Sequence, residues 1–305
     1  MTVNSKPVLV TGATGYLASW IVKKLLAEGT SVHCAVRNPS DESKIAHLKE
    51  LERKNDATIT FFKANLLDEG SYDLAMQGCE VVIHTASPFF YDEKQDAKTE
   101  LVDPAVNGTA NILNSVNRSE SVKRVVLTSS VASIFGDTKD ALNKVDNIMT
   151  EEDWNTTSSL DNGPYSYSKV MAETKAWEIN EKQQRWDLIV INPSWIIGPS
   201  VNPKANFESK NIFKQFCDGT MLFGCPRLEV GIVDVRDVAD AHIKALDSTV
   251  KSGRYIVSAK NINMLYIGKT LRERIGGLLF PRFFVPRVVL WAFAPLAGFS
   301  RSYVL

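Results

Sequence analysis

Cysteine and histidine are scarce in this chain of 305 residues, with four of each. The cysteines are Cys34, Cys79, Cys217 and Cys225, and the histidines are His33, His47, His84 and His242. No two cysteines form a C-x-x-C pair, so we expect no disulfide framework and a cytoplasmic protein. The histidines share no metal-ligand spacing, and we therefore expect no metal site.

Excess charge and long apolar runs are also lacking. Lys and Arg together number 35, Asp and Glu together number 35, and the net charge is zero. Without a block of like charge, a nucleic-acid partner is not expected. The most apolar stretch, residues 278–299, is interrupted by prolines and arginines and is too short to span a bilayer. No signal-peptide pattern precedes the first apolar run, and we expect no membrane partner.

Short apolar runs alternate with helix-length amphipathic stretches along much of the chain. Strands are predicted at Val8–Val10, Ser31–Arg37, Thr58–Lys63, Val81–His84, Arg124–Thr128 and Leu188–Asn192. Helices are predicted at Ser19–Glu28, Lys44–Arg53, Glu100–Val116 and Tyr165–Lys182. Near-continuous apolar strands are typical of parallel sheets that are buried on both faces. The pattern predicts an α/β protein with a Rossmann-type, doubly wound parallel sheet.

The first predicted strand runs directly into a glycine-rich turn. Its spacing is G-x-x-G-x-x-A, with glycines at Gly12 and Gly15, and a helix is predicted to open at about Tyr16. Such a turn directs backbone N–H groups and a helix N-terminus at an anion, which suits a dinucleotide pyrophosphate. The residues expected to contact this cofactor are Gly12, Thr14, Gly15, Tyr16 and Leu17. A glycine-rich turn without a ligand is the alternative.

The second predicted strand ends in a basic residue, Arg37. Folds that prefer NAD carry an acidic residue about 20 positions beyond the glycines, where it binds the ribose hydroxyls. An arginine there can form two bonds to the 2′-phosphate of NADP, and Lys44 can add a second positive charge. We therefore predict NADPH rather than NADH as cofactor. The alternative is an arginine that is simply solvated at a strand end.

Tyr165 and Lys169 are four residues apart at the start of a predicted helix. This spacing places the two side chains on one helix face. We expect the ammonium of Lys169 and an oxidised nicotinamide to lower the pKa of the Tyr165 phenol from about 10, so that the phenol can exchange protons. The strand end Leu127-Thr128-Ser129-Ser130 supplies a serine hydroxyl that can position a substrate oxygen. On its own the Y-x-x-x-K pattern also fits an exposed pair.

These motifs occur together with His84-Thr85-Ala86-Ser87, Asn107-Gly108-Thr109, Asn192-Pro193-Ser194 and Val233-Asp234-Val235-Arg236-Asp237. In this order they resemble an extended short-chain dehydrogenase/reductase, in the branch of dihydroflavonol reductase, cinnamoyl-CoA reductase and related carbonyl reductases. The resemblance implies a catalytic set of Ser130, Tyr165 and Lys169. It also implies further cofactor contacts, namely Asn65, Leu66, Thr85, Ala86, Ser87, Tyr165, Lys169, Pro193, Ser194 and Ser209.

The implied function is the NADPH-dependent reduction of an aldehyde or ketone to an alcohol by a monomer or homodimer. The partner is then a small-molecule carbonyl substrate. One alternative is a nucleotide-sugar epimerase or dehydratase, which shares the Ser-Tyr-Lys set. The other is a regulator that senses NADPH and performs no chemistry.

The implied organisation is an NADPH-binding Rossmann domain at residues 1–192, to which about 230–259 return. Residues 193–229 and 260–305 form a smaller C-terminal substrate-binding lobe.

Three features depart from the family pattern. Asn65-Leu66 replaces Asp-Leu, a plant cinnamoyl-CoA signature is absent before and around Tyr165, and the chain ends earlier than expected, at Leu305. The second departure argues against a CoA thioester substrate.

Overall fold

The structure is a computed structural model, and it describes residues 6–87, 96–205, 207–277 and 279–293. The strands are β1 (Val8–Thr11), β2 (Val32–Val36), β3 (Ile59–Lys63), β4 (Val81–His84), β5 (Arg124–Thr128), β6 (Asp187–Pro193), β7 (Trp195–Ile197), β8 (Glu229–Asp234), β9 (Gly253–Val257) and β10 (Lys260–Asn263). The α-helices are α1 (Tyr16–Ala27), α2 (Glu42–Glu52), α3 (Asp73–Met76), α4 (Asp103–Arg118), α5 (Pro164–Asn180), α6 (Glu208–Cys217), α7 (Val235–Lys244), α8 (Met264–Ile275) and α9 (Arg287–Phe293). A π-helical turn spans Lys98–Val102, and 3₁₀ turns span Val131–Ser133, Thr138–Asn143 and Val145–Asn147.

The described residues divide into two compact units. The first unit takes its residues from Met1–Pro193, Gly198–Ala205 and Val235–Val257. Within the described part of the chain, seven parallel strands form its sheet, in the order β3-β2-β1-β4-β5-β6-β9. This arrangement confirms the predicted doubly wound α/β fold.

Helices cover both faces of this sheet, which explains why its central strands are almost wholly apolar. On one face α1 packs against α2 and α7, and on the other α4 packs against α3 and α5. The core under α4 and α5 joins Leu9, Val82 and Val125 of the sheet to Ile112 and Ala176 of the helices. Because the strands are parallel, their carboxyl ends lie along one edge, where ligands bind in folds of this type.

The second unit takes its residues from Ser194–Ile197, Asn206–Asp234 and Ser258–Leu305. In its described residues, three strands form a sheet in the order β10-β8-β7, with β10 antiparallel and β7 parallel to β8. Phe216, Met264 and Phe280 belong to its small apolar core. Trp195 stacks on Phe213 with 5.6 Å between ring centroids.

The six strands predicted from the sequence are all present, but several element boundaries differ. Helix α1 begins at Tyr16, where the glycine-rich turn predicted that it would open, whereas α3 and β9 were not predicted as separate elements. Within the range 230–259, β8 pairs in the second sheet, whereas α7 and β9 belong to the first unit. Residues 294–305 of the expected substrate lobe lie outside the described residues. None of the helices formed by the described residues has the length and hydropathy of a membrane span.

Candidate active site

The turn after β1 favours a residue without a side chain at Gly12. Gly12 has a φ of +61°, which is the left-handed region that favours glycine. A Cβ at this position would lie 3.1 Å from both Cα and Cβ of Ala86. The Gly15 N–H donates to the Gly12 carbonyl over 2.8 Å and closes the turn immediately before α1. The first N–H groups of such a helix have no intrahelical acceptor, so this turn is suited to bind an anion.

Thr11 connects this turn to the segment that follows β4. Its hydroxyl oxygen accepts the N–H groups of Thr85 and Ala86, both over 3.2 Å, and lies 3.0 Å from Nδ1 of His84. Since the oxygen already accepts two hydrogen bonds, its own proton is donated to Nδ1. Thr85 donates its side-chain hydroxyl to the Thr11 carbonyl over 2.6 Å. These bonds hold Thr85, Ala86 and the following Ser87 beside Gly12.

The three predicted catalytic residues lie together in the first unit. Ser130 precedes the 3₁₀ turn Val131–Ser133, and its Oγ accepts the Ala132 N–H over 3.1 Å. Helix α5 begins at Pro164, a residue suited to a first helical position because it lacks an N–H. The Tyr165 phenol hydrogen-bonds the Ser130 side chain. Nζ of Lys169 lies 5.6 Å from the centroid of the Tyr165 ring and donates to Ser87 Oγ over 3.0 Å.

The electrostatics of this group differ from the sequence expectation in one respect. Desolvation raises the pKa of Tyr165 to about 12, and the hydrogen bond from Ser130 acts in the opposite direction. The sequence predicted a lowered phenol pKa from the charges of Lys169 and an oxidised nicotinamide. In the protein alone, burial of the hydroxyl outweighs the hydrogen bond that favours its anion. The ring itself stays 37% exposed, so the residue is accessible from one side.

Lys169 is perturbed in the opposite sense. The side chain is buried, and desolvation lowers its pKa to about 8, whereas the negative charge of Glu173 raises it. His84 faces the same ammonium from the end of β4. Burial, and secondarily the charge of Lys169, lower the pKa of His84 to about 3. His84 is therefore neutral at physiological pH and adds no charge to the site.

Glu173 lies one helical turn beyond Lys169 and is 1% exposed. Its Oε2 accepts hydrogen bonds from the hydroxyls of Ser129 and Ser133, each over 2.5 Å, and from Nδ2 of Asn192 over 2.9 Å. Its Oε1 accepts Nε of Arg254, from β9, over 2.5 Å. Three neutral donors and one guanidinium therefore converge on the two oxygens of this side chain, and the bond from the guanidinium is charge-assisted.

The residues that were expected to bind the far end of a dinucleotide follow β2 and β3. Arg37 comes directly after β2 and is exposed, and no described residue forms a hydrogen bond or ion pair with it. Lys44 is an exposed residue of α2, and its Nζ forms an ion pair with Oδ2 of Asp41 at 3.6 Å. Asn65 is held in its turn by Ser71, whose hydroxyl donates to the Asn65 carbonyl over 2.8 Å. Leu66 packs so closely on α4 that a Cβ at Gly108 would lie 2.8 Å from its Cδ2.

The remaining predicted cofactor residues divide between the two units. In the first unit, Tyr16 donates its hydroxyl to the Gly198 carbonyl over 2.8 Å, and Pro193 ends β6 in register with Val257. In the second unit, Ser194 is buried. Ser209 lies on α6 of that unit, where its hydroxyl donates to the Ile196 carbonyl over 2.5 Å.

Sequence reasoning missed several residues that surround Ser130, Tyr165 and Lys169. They are the buried Thr11, Ser129, Ser133 and Glu173, together with the partly buried Arg254. One signal was available for Glu173, which continues the four-residue spacing of Tyr165 and Lys169 along a single helix face. No local pattern identifies Arg254, which reaches Glu173 from a strand 81 residues further along the chain. Among the described residues, no group of three or more His, Cys, Asp or Glu side chains is placed to hold a metal ion.

Comparison with known proteins gives a consistent result. The model of the NAD dependent epimerase/dehydratase family matches residues 8–258. Cinnamoyl-CoA reductase CAD2 of Medicago truncatula is 40% identical over 277 residues, which cover 90% of this chain and 82% of that protein. Tetraketide alpha-pyrone reductase 1 of Arabidopsis thaliana is 36% identical over 280 residues, which cover 91% and 83% of the two chains.

A solved structure is also similar over most of its length. Yeast methylglyoxal/isovaleraldehyde reductase Gre2, complexed with NADPH, has a TM-score of 0.74 and 30% identity, and the match covers 90% of this chain and 85% of that one. The seven-stranded parallel sheet agrees with these matches. The chain belongs to the NAD dependent epimerase/dehydratase family, that is, to the extended short-chain dehydrogenases/reductases.

Proposed function

We propose that this protein reduces an aldehyde or ketone to an alcohol with NADPH, and that Ser130, Tyr165 and Lys169 are its catalytic residues. The observation that carries the proposal is the hydrogen bond between Ser130 and the Tyr165 phenol, with Lys169 one helical turn further on. The relatives described above are reductases, and the yeast structure contains NADPH. By the same proposal, the first unit binds NADPH and the second unit binds substrate.

The residues present fit a dinucleotide. A Cβ at Gly12 would be tightly placed against Ala86, and the turn leads directly into the N-terminus of α1, an arrangement that suits close approach of a pyrophosphate. At the end of β2, Arg37 is exposed and provides a guanidinium for a 2′-phosphate, with Lys44 on the following helix. Bound NADPH supplies the hydride that reduces the carbonyl carbon.

Tyr165 is the proposed proton donor. A phenol whose pKa is about 12 remains protonated throughout the neutral range, which is the form that reduction needs. The developing alkoxide is a far stronger base than a phenolate, so the proton moves from the Tyr165 hydroxyl to the product oxygen. The Ser130 hydroxyl, hydrogen-bonded to the same phenol, orients the carbonyl oxygen for this transfer.

Lys169 contributes a buried positive charge beside the phenol. The charge favours the phenolate that remains after proton transfer. The ammonium also has donors besides the one that it directs to Ser87, and these can bind ribose hydroxyls. Because the pKa of Lys169 is lowered to about 8, this charge is half lost at about that pH, is nearly complete well below it, and is lost as the pH rises further.

The test is NADPH oxidation by the purified protein against aliphatic, aromatic and bulky carbonyl compounds, with NADH in parallel. We expect Tyr165→Phe to lose about 10²-fold or more of kcat, because the proton donor is removed. NADPH affinity should change little, since the ring and its packing remain. Near-normal turnover by this variant would refute the assignment of Tyr165.

The alternatives give different results in the same experiment. A nucleotide-sugar epimerase or dehydratase would retain NAD through purification and would leave the panel unreduced. Arg37 argues against this function, because no acidic residue ends β2 to receive the ribose hydroxyls of NAD. A regulator without chemistry would bind NADPH and oxidise none of it. A cinnamoyl-CoA thioester belongs in the panel, because one relative is a cinnamoyl-CoA reductase.

A further inference from the structure

The buried face of α5 carries one residue more than the proposed catalytic pair. Tyr165, Lys169 and Glu173 follow one another at intervals of four, so their side chains form a single stripe along the helix. The stripe runs from the exposed Tyr165 ring to the fully buried carboxylate of Glu173. A buried carboxylate is costly unless it is paired, and this one has both an ion pair and three further donors. Its position next to Lys169 therefore requires an explanation beyond packing.

Glu173 is joined to the segment that carries Ser130 by several bonds. Ser133 Oγ lies 2.5 Å from Oε2 of Glu173 and 2.7 Å from the Ser130 carbonyl oxygen. Asn192 Nδ2, from the end of β6, contacts the same two oxygens at 2.9 and 3.2 Å. The carboxylate therefore fixes the backbone on which the Ser130 hydroxyl is presented to Tyr165.

Arg254 completes this buried network from the opposite side. Its guanidinium donates to the carbonyls of Glu151 and Asp153 and lies 3.9 Å from the centroid of the Trp154 ring. These contacts hold Arg254 in place independently of Glu173. Loss of the carboxylate would then leave two buried cations, Lys169 and Arg254, without the anion that separates them.

We propose that Glu173 is a positioning residue whose buried carboxylate keeps Lys169 charged and holds the turn that carries Ser130. The inference rests on the proposed function, since it assigns Glu173 to the same catalytic group. In support, the charge of Glu173 raises the pKa of Lys169 against the desolvation that lowers it. Without Glu173 the ammonium would lose its proton at a lower pH, and the alkaline limb of the activity would move with it.

The other ionisable groups around Lys169 do not replace this charge. Tyr165 and His84 are both neutral in the working range, since their pKa values are about 12 and about 3. The π-helical turn and α4, which pack on α5, contribute Lys98, Glu100, Asp103 and Arg118, none of them buried. Lys98 pairs with Asp103 over 2.7 Å, and Arg118 pairs with Asp73. Asp187 of β6 pairs with Arg124 over 2.7 Å.

The experiment measures the titration of Lys169 directly and the pH dependence of kcat/KM in parallel. Selective ¹³C labelling of lysine Cε gives one NMR signal per lysine, and Lys169→Arg identifies the signal of Lys169. We expect Glu173→Gln to lower the titration midpoint of Lys169 by about one pH unit and to move the alkaline limb equally. The matched control is Glu178→Gln, the same change at a residue 51% exposed on the same helix and paired with Lys175, which should move neither.

Two further variants separate charge from folding. Glu173→Asp keeps the charge on a shorter side chain, so the midpoint should stay near that of the wild type while kcat falls. Arg254→Met leaves the carboxylate without its partner, and the midpoint should not decrease. An unchanged midpoint in folded Glu173→Gln overturns the proposal. A decreased midpoint in Arg254→Met overturns it too, and this result does not depend on whether Glu173→Gln folds.

The two readouts also distinguish this inference from the proposed function. The NMR titration needs no carbonyl substrate, so a shifted midpoint without turnover supports the role of Glu173 and contradicts the reductase assignment. Turnover with an unshifted midpoint of Lys169 supports the reductase assignment and contradicts the role of Glu173.

Discussion

Arg37 offers a selective perturbation of the cofactor site, because its side chain is exposed and has no partner among the described residues. Replacing it with serine should change the free energy of unfolding by no more than about 0.5 kcal/mol. If the guanidinium binds the 2′-phosphate of NADPH, its removal loses charge-assisted hydrogen bonds worth about 1.5–3 kcal/mol. This corresponds to a rise of about ten- to hundredfold in the dissociation constant of NADPH. NADH has no 2′-phosphate, so its affinity should stay the same.

The assay is a calorimetric or fluorescence titration of both cofactors with the wild type and Arg37→Ser, at two salt concentrations. Arg53→Ser is the matched control, since Arg53 is 77% exposed beside α2 and pairs only loosely with Glu50, at 3.6 Å. Its loss should leave both affinities unchanged. The affinity of the wild type for NADPH should fall with added salt more steeply than that of Arg37→Ser. An equal loss of NADPH and NADH affinity, or no loss of either, would refute the reasoning.

Two other predictions concern the stability of the first unit. Gly12→Ala should lower the free energy of unfolding by about 1–3 kcal/mol, measured by denaturant titration, because of its positive φ and the 3.1 Å approach to Ala86. Gly78→Ala isolates the backbone strain, since Gly78 has a φ of +78° and no atom within 4 Å of its Cβ. An equal loss in both would rule out the contact with Ala86. Burial lowers the pKa of His84 to about 3 and that of His242 to about 4, so the unfolded chain binds more protons below pH 6.5 and stability should fall as the pH decreases towards 4. For His242 the loss amounts to about 3 kcal/mol, and His242→Gln should reduce the decrease of Tm between pH 6.5 and 4.5. Parallel Tm curves for the two proteins would contradict this.

The local parts of the site were predictable because each is a short pattern with one physical cause. The glycine turn, the serine after β5 and the Tyr-Lys pair each need only a few neighbouring residues to be recognised. The parallel arrangement of six strands could be predicted because the strands are almost wholly apolar and helices lie between them in the chain. The boundary of the second unit did not follow in the same way. Strand β8 has the composition of a core strand but pairs with β7 and β10, a choice that depends on contacts distant in sequence.

The electrostatics of the site depend on burial, which the sequence does not specify. From the sequence, a lysine four residues from Tyr165 suggested a lowered phenol pKa. In the folded chain, desolvation raises the pKa of Tyr165 and lowers that of Lys169, because burial penalises the charged form of each group. The sign of such a shift depends on how much water each group loses.

The sequence by itself determined the fold class, the glycine turn after β1 and the Tyr165–Lys169 pair, since these rest on local spacing and hydrophobic pattern. Only the tertiary structure decided which residues from distant parts of the chain surround them and form hydrogen bonds there. Glu173 is hydrogen-bonded to Arg254, 81 residues away in the chain, and to Ser129, 44 residues away. Thr11 is hydrogen-bonded to His84, 73 residues away. The physical reason is that hydrogen bonds and desolvation act over a few ångströms in space, whatever the separation along the chain.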